Sequence, residues 1–184
     1  MDKPTARKIF LSQQFTQETA KLVISTILDI NDKDDLIENE LKTTYGATYE
    51  RKPILIYIDS YGGTCYQAFG IISVVEASKT PVHTIVTGCA MSCGFLLLIS
   101  GHKRFAYQHS TVLYHQVSSG AIGTLKELED NVEEAKRLNK KLQKLTLDKT
   151  SITKSRLKEV NDKKIDWYMD AQEALKLKIV DEII

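Results

Sequence analysis

Apolar positions along this chain alternate between short continuous runs and longer stretches at helical spacing. Two runs, over 53–59 and 81–87, are almost uninterrupted, as expected for strands that are buried on both faces. Apolar residues at intervals of three and four follow these runs, over 65–77 and 91–100, and indicate helices. This alternation of strand and helix predicts an α/β protein with a parallel sheet covered by helices.

The rest of the pattern predicts shorter elements and one long helix. Strands are expected over 8–11, 105–107, 111–116 and 179–180. Helices are expected after the candidate N-cap Thr16 and over 125–147, 155–160 and 171–177. Residues 31–52 are polar and rich in charge, so we expect a long surface excursion that is partly helical.

Length, charge and composition exclude several classes of function. The 184 residues are enough for one domain with its own core, and no repeat divides them. The 25 basic and 24 acidic residues nearly balance, which gives no electrostatic attraction for nucleic acid or an anionic membrane. No apolar run approaches the ~18 residues of a membrane span, and the first residues do not resemble a secretory signal. The three cysteines match no metal-binding spacing and favour a reducing compartment, the cytoplasm.

Two turns in the sequence have the composition of reactive sites. Ser92 lies between a buried strand and an apolar helix, with the small residues Ala90 and Gly94 on either side, as in turns that present a nucleophilic serine. A plain helix N-cap is the alternative interpretation. The pair Gly62-Gly63 ends another buried strand, where glycine lets the backbone approach a ligand closely. A simple turn is the alternative there.

A histidine and an acid would complete a hydrolytic site. Of the four histidines, His115 is the one predicted at the end of a strand, where sheet proteins place active residues. Four acids follow it at positions that spacing alone cannot rank, namely Asp162, Asp166, Asp170 and Asp181. The Trp167-Tyr168 pair beside Asp166 can shelter a carboxylate.

Four segments in this order resemble the ClpP family of serine peptidases. They are the strand with the glycine pair over 56–63, the serine segment over 88–97, the histidine strand over 112–116 and the acid with its helix over 166–174. The order and spacing hold from about residue 7 to residue 184. The resemblance implies a ClpP/crotonase-like fold in one domain over 1–184, in which residues 117–150 form a protruding handle of one strand and one helix.

The same resemblance implies the chemistry, residue by residue. Ser92 would be the nucleophile, His115 its general base and Asp166 the carboxylate that orients His115. The backbone N–H groups of Gly63 and Cys93 would form the oxyanion hole. Substrate would pair with the segment over 117–123 by edge addition. The implied substrate-binding residues are Gly62, Ser118, Ser119, Gly120 and Ala121. No metal or cofactor is implied.

The implied partners are polypeptide substrates and further copies of the chain, in two stacked rings of seven subunits. A Clp-type unfoldase ATPase is a candidate partner, although we expect most of the family's ATPase-contacting N-terminal segment to be absent. Two family prolines beside the substrate path are replaced by Tyr61 and Val117, which puts specificity in question. The thiol of Cys93 is a second potential nucleophile.

Two other functions remain open at this stage. The chain could be a catalytically inactive ring subunit, which would have no need of Ser92, His115 and Asp166 together. It could also be an acyl-CoA enzyme on the same crotonase-like fold, which would use an oxyanion hole without the triad.

Charges along the long helix predict how copies of the chain meet. Acids fill its first half and bases its second half, which places like charges four residues apart and costs an isolated helix a few tenths of a kcal/mol per pair. A second copy running antiparallel would match acid to base, so we expect this helix to pair the two rings.

Overall fold

The computed structural model describes residues 7–184, and within them one mostly parallel sheet organises the chain. Its strands run in the order β1-β2-β3-β4-β7, and β5 pairs with both β3 and β6. All pairs are parallel except β5 with β6. The strands are β1 (Lys8–Leu11), β2 (Ile54–Ser60), β3 (Val82–Met91), β4 (Lys103–Ala106), β5 (Thr111–Tyr114), β6 (Trp167–Asp170) and β7 (Glu182–Ile183). The predicted mixed α/β fold is confirmed.

Helices pack on the sheet and bury its apolar residues. They are α1 (Gln17–Tyr45), α2 (Cys65–Ala77), α3 (Cys93–Ser100), α4 (Leu125–Lys149), α5 (Lys154–Asp162) and α6 (Ala171–Lys176). Helix α3 is buried along its whole length, which explains its uninterrupted apolar sequence. Among the described helices, none is long and apolar enough to cross a membrane.

Strand β3 forks, and the fork positions the candidate site. Its first half pairs with β4 from His83 to Val86, whereas its last residues, Cys89 to Met91, pair with β5. Met91 lies opposite Leu113 in this second pairing. The carboxyl ends of β3 and β5 therefore meet at one edge of the sheet, where Ser92 and His115 follow them in the sequence.

Residues 31–52 are mostly exposed and partly helical, as expected, but the helical part is the continuation of α1 and not a separate excursion. Helix α1 continues to Tyr45 and ends at Gly46 in a left-handed conformation with φ 60°. Asp34 on this helix is fully buried and accepts hydrogen bonds from Arg7, Tyr49 and Thr80. Burial alone would raise the pKa of Asp34, but these hydrogen bonds outweigh it and lower the pKa to about 2. A long-range ion pair, invisible to local patterning, thus fixes the segment.

Two predicted strands also differ from the structure. The last strand is Glu182–Ile183 rather than 179–180, because Ile179 and Val180 are buried in the turn that follows α6. The strand expected over 117–123 is wrong for the single chain: residues 115–124 form neither helix nor strand. A strand needs a partner, and the described residues offer none to this segment. The handle helix, α4, is present.

Candidate active site

Ser92 has a strained backbone at the junction of β3 and α3. Its φ of 54° and ψ of −115° are rare for a residue with a side chain, and its hydroxyl makes no capping hydrogen bond to α3. The plain N-cap interpretation is therefore wrong. The N–H of Ser92 donates to the carbonyl of Leu113 at 3.1 Å, which ties the turn to β5 two residues before His115.

The glycine pair is required by close packing against the Ser92 turn and against Phe15. Gly62 and Gly63 have φ of 107° and 145°. A Cβ on Gly62 would lie 2.7 Å from the Ser92 Cβ, and a Cβ on Gly63 would lie 2.5 Å from the Phe15 backbone nitrogen. Any larger residue would displace one of these neighbours. The close approach of the backbone at Gly62 and Gly63 therefore favours the first interpretation over a simple turn.

Sequence reasoning missed two residues that hold the glycine pair. The Phe15 N–H donates to Gly62 O at 2.9 Å, and the Thr64 N–H donates to Phe15 O at 3.0 Å. The buried Ser60 hydroxyl donates to Gln13 O at 2.6 Å and accepts from the Gly62 N–H at 3.2 Å. A serine two residues before the glycine pair was the only local signal, because the contacts to residues 13–15 are long-range.

His115 and Asp166 face each other across the β5–β6 edge. The His115 Nδ1 lies 3.9 Å from the Asp166 Oδ1, and a quarter of the His115 side chain is exposed. This distance is longer than a hydrogen bond, as is common for catalytic pairs without bound substrate. Asp166 lies directly before β6, which pairs antiparallel with β5, so the sheet itself brings the two residues together.

The other three candidate acids have partners elsewhere. Asp162 pairs with Lys158 on α5, and Asp181 pairs with Arg104. Asp170 caps α6 by accepting a hydrogen bond from the Glu173 N–H at 2.8 Å. Asp166 is therefore the acid that the structure places beside His115. No group of three or more acidic, histidine or cysteine residues among residues 7–184 is arranged to hold a metal ion.

The Cys93 side chain points into the protein, away from solvent. Its thiol donates to Gly63 O at 3.2 Å and is 1% exposed. The hydrogen bond to Cys65 raises the pKa of Cys93 first, and burial raises it further. A buried, protonated thiol is a poor nucleophile, which weakens Cys93 as an alternative to Ser92.

The predicted substrate-binding residues divide into two groups. Ser118 and Ser119 line two grooves, one of about 380 Å³ against α2 and α4 and one of about 370 Å³ beside His115 and Asp166. Gly120 and Ala121 are exposed and line neither groove. Gly62 lies against Ser92 as described above. Across the first groove, the Tyr66 hydroxyl donates to Glu134 at 2.6 Å.

Helix α4 is half packed and half exposed. Leu138 and Leu142 in its second half are buried against the core, whereas Leu125 and Val132 in its first half are 75% and 52% exposed. The apolar stripe predicted from the sequence therefore continues beyond the surface that the rest of the chain covers.

Comparison with known proteins assigns this arrangement to a family. The sequence model of the family described as Clp protease matches residues 4–184. The chain is 30% identical over 180 residues to ATP-dependent Clp protease proteolytic subunit 2 of Synechococcus sp. (strain CC9605), covering 97% of this chain and 83% of that protein. It is 29% identical over 180 residues to ATP-dependent Clp protease proteolytic subunit 1 of Prochlorococcus marinus (strain MIT 9312), covering 97% and 84%. The chain thus belongs to the Clp protease family.

Proposed function

We propose that this chain is a serine endopeptidase with Ser92 as nucleophile, His115 as general base and Asp166 as the carboxylate that orients His115. Family membership supports a peptidase. The single observation that carries the serine mechanism is the backbone of Ser92, whose positive φ at the end of β3 costs on the order of 1–3 kcal/mol. Such strain is explained if the turn exposes the hydroxyl to a substrate.

His115 and Asp166 supply the proton transfers in this proposal. His115 takes the Ser92 proton as the hydroxyl attacks the scissile carbonyl, and then gives it to the leaving amine. Asp166 holds the imidazole in one tautomer and stabilises its cation. The 3.9 Å between His115 Nδ1 and Asp166 Oδ1 has to shorten by about 1 Å for a hydrogen bond, which a bound substrate would favour.

The oxyanion hole is proposed from the backbone N–H groups of Gly63 and Cys93. Cys93 is the first residue of α3, where N–H groups have no acceptor within the helix and the helix dipole favours negative charge. Gly63 follows Gly62, which packs on Ser92. One donor of this kind is worth ~3–4 kcal/mol of transition-state stabilisation.

An extended polypeptide is the substrate class that this geometry favours. The backbone over 117–123 has no strand partner among residues 7–184, and Ser118 and Ser119 border both grooves beside the site. We propose that substrate pairs with this segment as an added strand. In this proposal Ser118, Ser119, Gly120 and Ala121 contact the substrate backbone, and Gly62 lies where the chain crosses Ser92.

Assembly and location form the outer part of the proposal. The exposed apolar half of α4 supports self-association, and we propose two stacked rings of seven that enclose the active sites in a chamber. The names of both relatives begin with ATP-dependent, which supports a Clp-type ATPase as partner. Three free cysteines support the cytoplasm as the location.

A peptide assay combined with a serine-directed probe tests the mechanism. Wild-type protein should hydrolyse fluorogenic peptides and be labelled by a fluorophosphonate at Ser92. The Ser92→Ala protein should lose at least ~10³-fold in turnover and all labelling, while keeping its assembly. Cys93→Ala is the matched control and should still be labelled at Ser92.

Each alternative function has its own outcome in this experiment. Near-normal turnover in Ser92→Ala, together with loss in Cys93→Ala, would make Cys93 the nucleophile. A wild-type protein that assembles but neither hydrolyses nor is labelled would be an inactive ring subunit. Turnover of acyl-CoA esters without peptide hydrolysis would identify the crotonase-type enzyme.

A further inference from the structure

The hydroxyl of Tyr114 lies behind the candidate site and is bound by a side chain of α5. Tyr114 is the last residue of β5, directly before His115, and is 1% exposed. The Asn161 Nδ2 donates to the Tyr114 hydroxyl oxygen at 3.2 Å and to Leu157 O at 2.6 Å. The two N–H groups of one amide are thus divided between α5 itself and β5, which fixes the orientation of the amide.

The same asparagine begins the turn that leads to Asp166. The Asn161 main-chain oxygen accepts the N–H of Lys164 at 3.2 Å, and Val160 O accepts the N–H of Ile165 at 3.0 Å. Lys164 is left-handed between them, with φ 51°. These hydrogen bonds close the turn onto the end of α5, so the position of Asp166 follows the position of that helix.

The strand register places Tyr114 at the other end of the same connection. In the antiparallel pair of β5 and β6, Tyr114 lies opposite Trp167, and the next residue outward on each strand is His115 or Asp166. The Tyr114 ring also meets the Phe95 ring of α3 edge-on, with the ring centres 5.6 Å apart. A tyrosine held in this way gives α5 a fixed point on β5, one residue away from His115.

Stability alone does not explain a polar contact at this place. Leu157 and Val160 are buried and already hold α5 to the core. The Asn161 Oδ1 is buried without a hydrogen-bond partner among residues 7–184. Since such an atom lowers stability, an apolar pair at 114 and 161 would serve packing at least as well. What the amide adds is direction, because a hydrogen bond has a preferred geometry and apolar burial has none.

We propose that Tyr114 and Asn161 are positioning residues of the peptidase, and that their hydrogen bond sets how closely Asp166 approaches His115. The inference rests on the proposed function, because it acts through the pair assigned there to proton transfer. The distance under control is the 3.9 Å between His115 Nδ1 and Asp166 Oδ1. Without the hydrogen bond, α5 and the turn attached to it can shift away from β5, and a misplacement of about 1 Å costs up to ~100-fold in rate.

The test compares Tyr114→Phe with Tyr49→Phe in the full-length protein. Tyr114→Phe keeps the ring against Phe95 and removes only the hydroxyl. Tyr49→Phe is the matched control, because it removes a hydroxyl that donates to Asp34 on α1 at 2.9 Å. On a fluorogenic peptide, kcat should fall about tenfold in Tyr114→Phe with KM unchanged, and both should stay at the wild-type level in Tyr49→Phe. Equal kcat in the wild type and Tyr114→Phe would overturn the proposal.

Double-mutant cycles show whether the hydrogen bond acts through Asp166. In the Asp166→Asn protein, Tyr114→Phe should cause little further loss of kcat, because the carboxylate to be positioned is gone. An undiminished loss in that background would overturn the proposal in favour of a purely structural role. Asn161→Leu should lower kcat as Tyr114→Phe does, and the two together should cost no more than either alone, since they remove one hydrogen bond. Fully additive losses would also overturn it.

A measurement without turnover separates this inference from the proposed function. In magnetic resonance spectra of protein with isotope-labelled histidine, the ring signals of His115, assigned with His115→Gln, should move in Tyr114→Phe towards their position in Asp166→Asn. They should stay in place in Tyr49→Phe. Unmoved His115 signals in Tyr114→Phe would overturn the inference. A wild-type protein that hydrolyses no peptide would count against the proposed function, and the spectra would still decide whether the hydrogen bond positions Asp166.

Discussion

The turn that carries Ser92 and the handle expected over residues 117–150 are built in opposite ways. The Ser92 turn is fixed from every side by its own subunit: by the hydrogen bond to Leu113, by Gly62 against its Cβ and by the buried helix α3. The first half of the handle has almost no such support, with Ile122 and Leu125 exposed and no strand over 115–124.

The difference separates chemistry from assembly in this molecule. The strained backbone of Ser92 is held in place by contacts within its own chain. The exposed apolar residues and unpaired backbone of the handle are costly alone and indicate surfaces meant for another chain. Variants in the first region should therefore change rate, and variants in the second should change particle size.

In the region around Ser92, the largest effect on activity is expected from a substitution of Asp166. Asp166→Asn keeps the shape but removes the charge that we propose orients His115, so activity should fall by ~10²–10⁴-fold with little change in stability. Asp162→Asn is the matched control, since Asp162 pairs with Lys158 on the surface of α5. Initial rates on a fluorogenic peptide compare the two. A larger loss in Asp162→Asn would overturn the assignment of Asp166.

Gly62 tests whether the nucleophile turn is as tightly fixed as its contacts indicate. A Cβ there would lie 2.7 Å from the Ser92 Cβ and 3.0 Å from Met91 O, at a φ of 107°. We expect Gly62→Ala to lower activity by ~100-fold, because Ser92 has to shift from its reactive position. Gly70→Ala on α2 is the control, since its new Cβ would meet Ile24 at an ordinary 3.7 Å. Equal rates in the two variants would show that the turn is not constrained.

Periodicity predicted the sheet and the helices packed on it, whereas the order of the site residues came from the resemblance to a family. It succeeded where burial is two-sided, as in β2 and α3, because such segments have few polar residues to obscure the pattern. It did not show that α1 continues to Tyr45 or that Asp34 is buried, because Asp34 is held by Arg7, Tyr49 and Thr80 across the fold. Long-range ion pairs leave no periodic signal.

The residues of the candidate site also divide into those with a local signal in the sequence and those that depend on long-range contacts. Spacing and neighbours were enough to mark Ser92, Gly62 and Gly63, because strain and close approach restrict which residue types can occupy a position. Phe15 and Ser60 escaped notice because their contribution is made by backbone contacts that only the folded chain creates.

A substitution of Asp34 tests how much contacts within the chain stabilise the charge-rich segment over 31–52, in contrast to the exposed first half of the handle. Its pKa of about 2 lies below the ordinary value of 3.8, so its stabilisation is present above pH 4 and is lost as the pH falls towards 2. We expect a contribution of about 2 kcal/mol to the free energy of unfolding. Urea titrations of the wild type at pH 6 and pH 3 should show a loss of about 1 kcal/mol, roughly half of this contribution, because pH 3 still lies above the folded-state pKa. Asp34→Asn should lack this pH-dependent loss, whereas the more exposed Asp35→Asn should keep most of it.

The charged side chains of α4 are expected to give the smallest effect on assembly for each contact. Within one chain, the crowding of like charges on α4 is relieved by local pairs, Glu133 with Lys136 and Glu134 with Arg137. Lys141 is also engaged, since its ammonium lies 4.0 Å from the centre of the Phe69 ring. Lys136 and Lys140 are the exposed bases whose reversal leaves that packing intact. Each exposed pair across an interface is worth ~0.2–1 kcal/mol.

Reversal of Lys136 and Lys140 to Glu should therefore weaken the proposed ring pairing without altering the Ser92 turn. Sedimentation should show smaller particles for Lys136→Glu/Lys140→Glu than for the wild type, and added salt should weaken the wild-type assembly because exposed pairs are screened. Lys158→Glu/Lys163→Glu is the matched control: it makes the same charge change on α5, where both lysines also pair with acids of their own helix. A large particle unchanged by either double reversal would show that the apolar residues of α4, such as Leu125 and Val132, hold any ring contact without help from its charges.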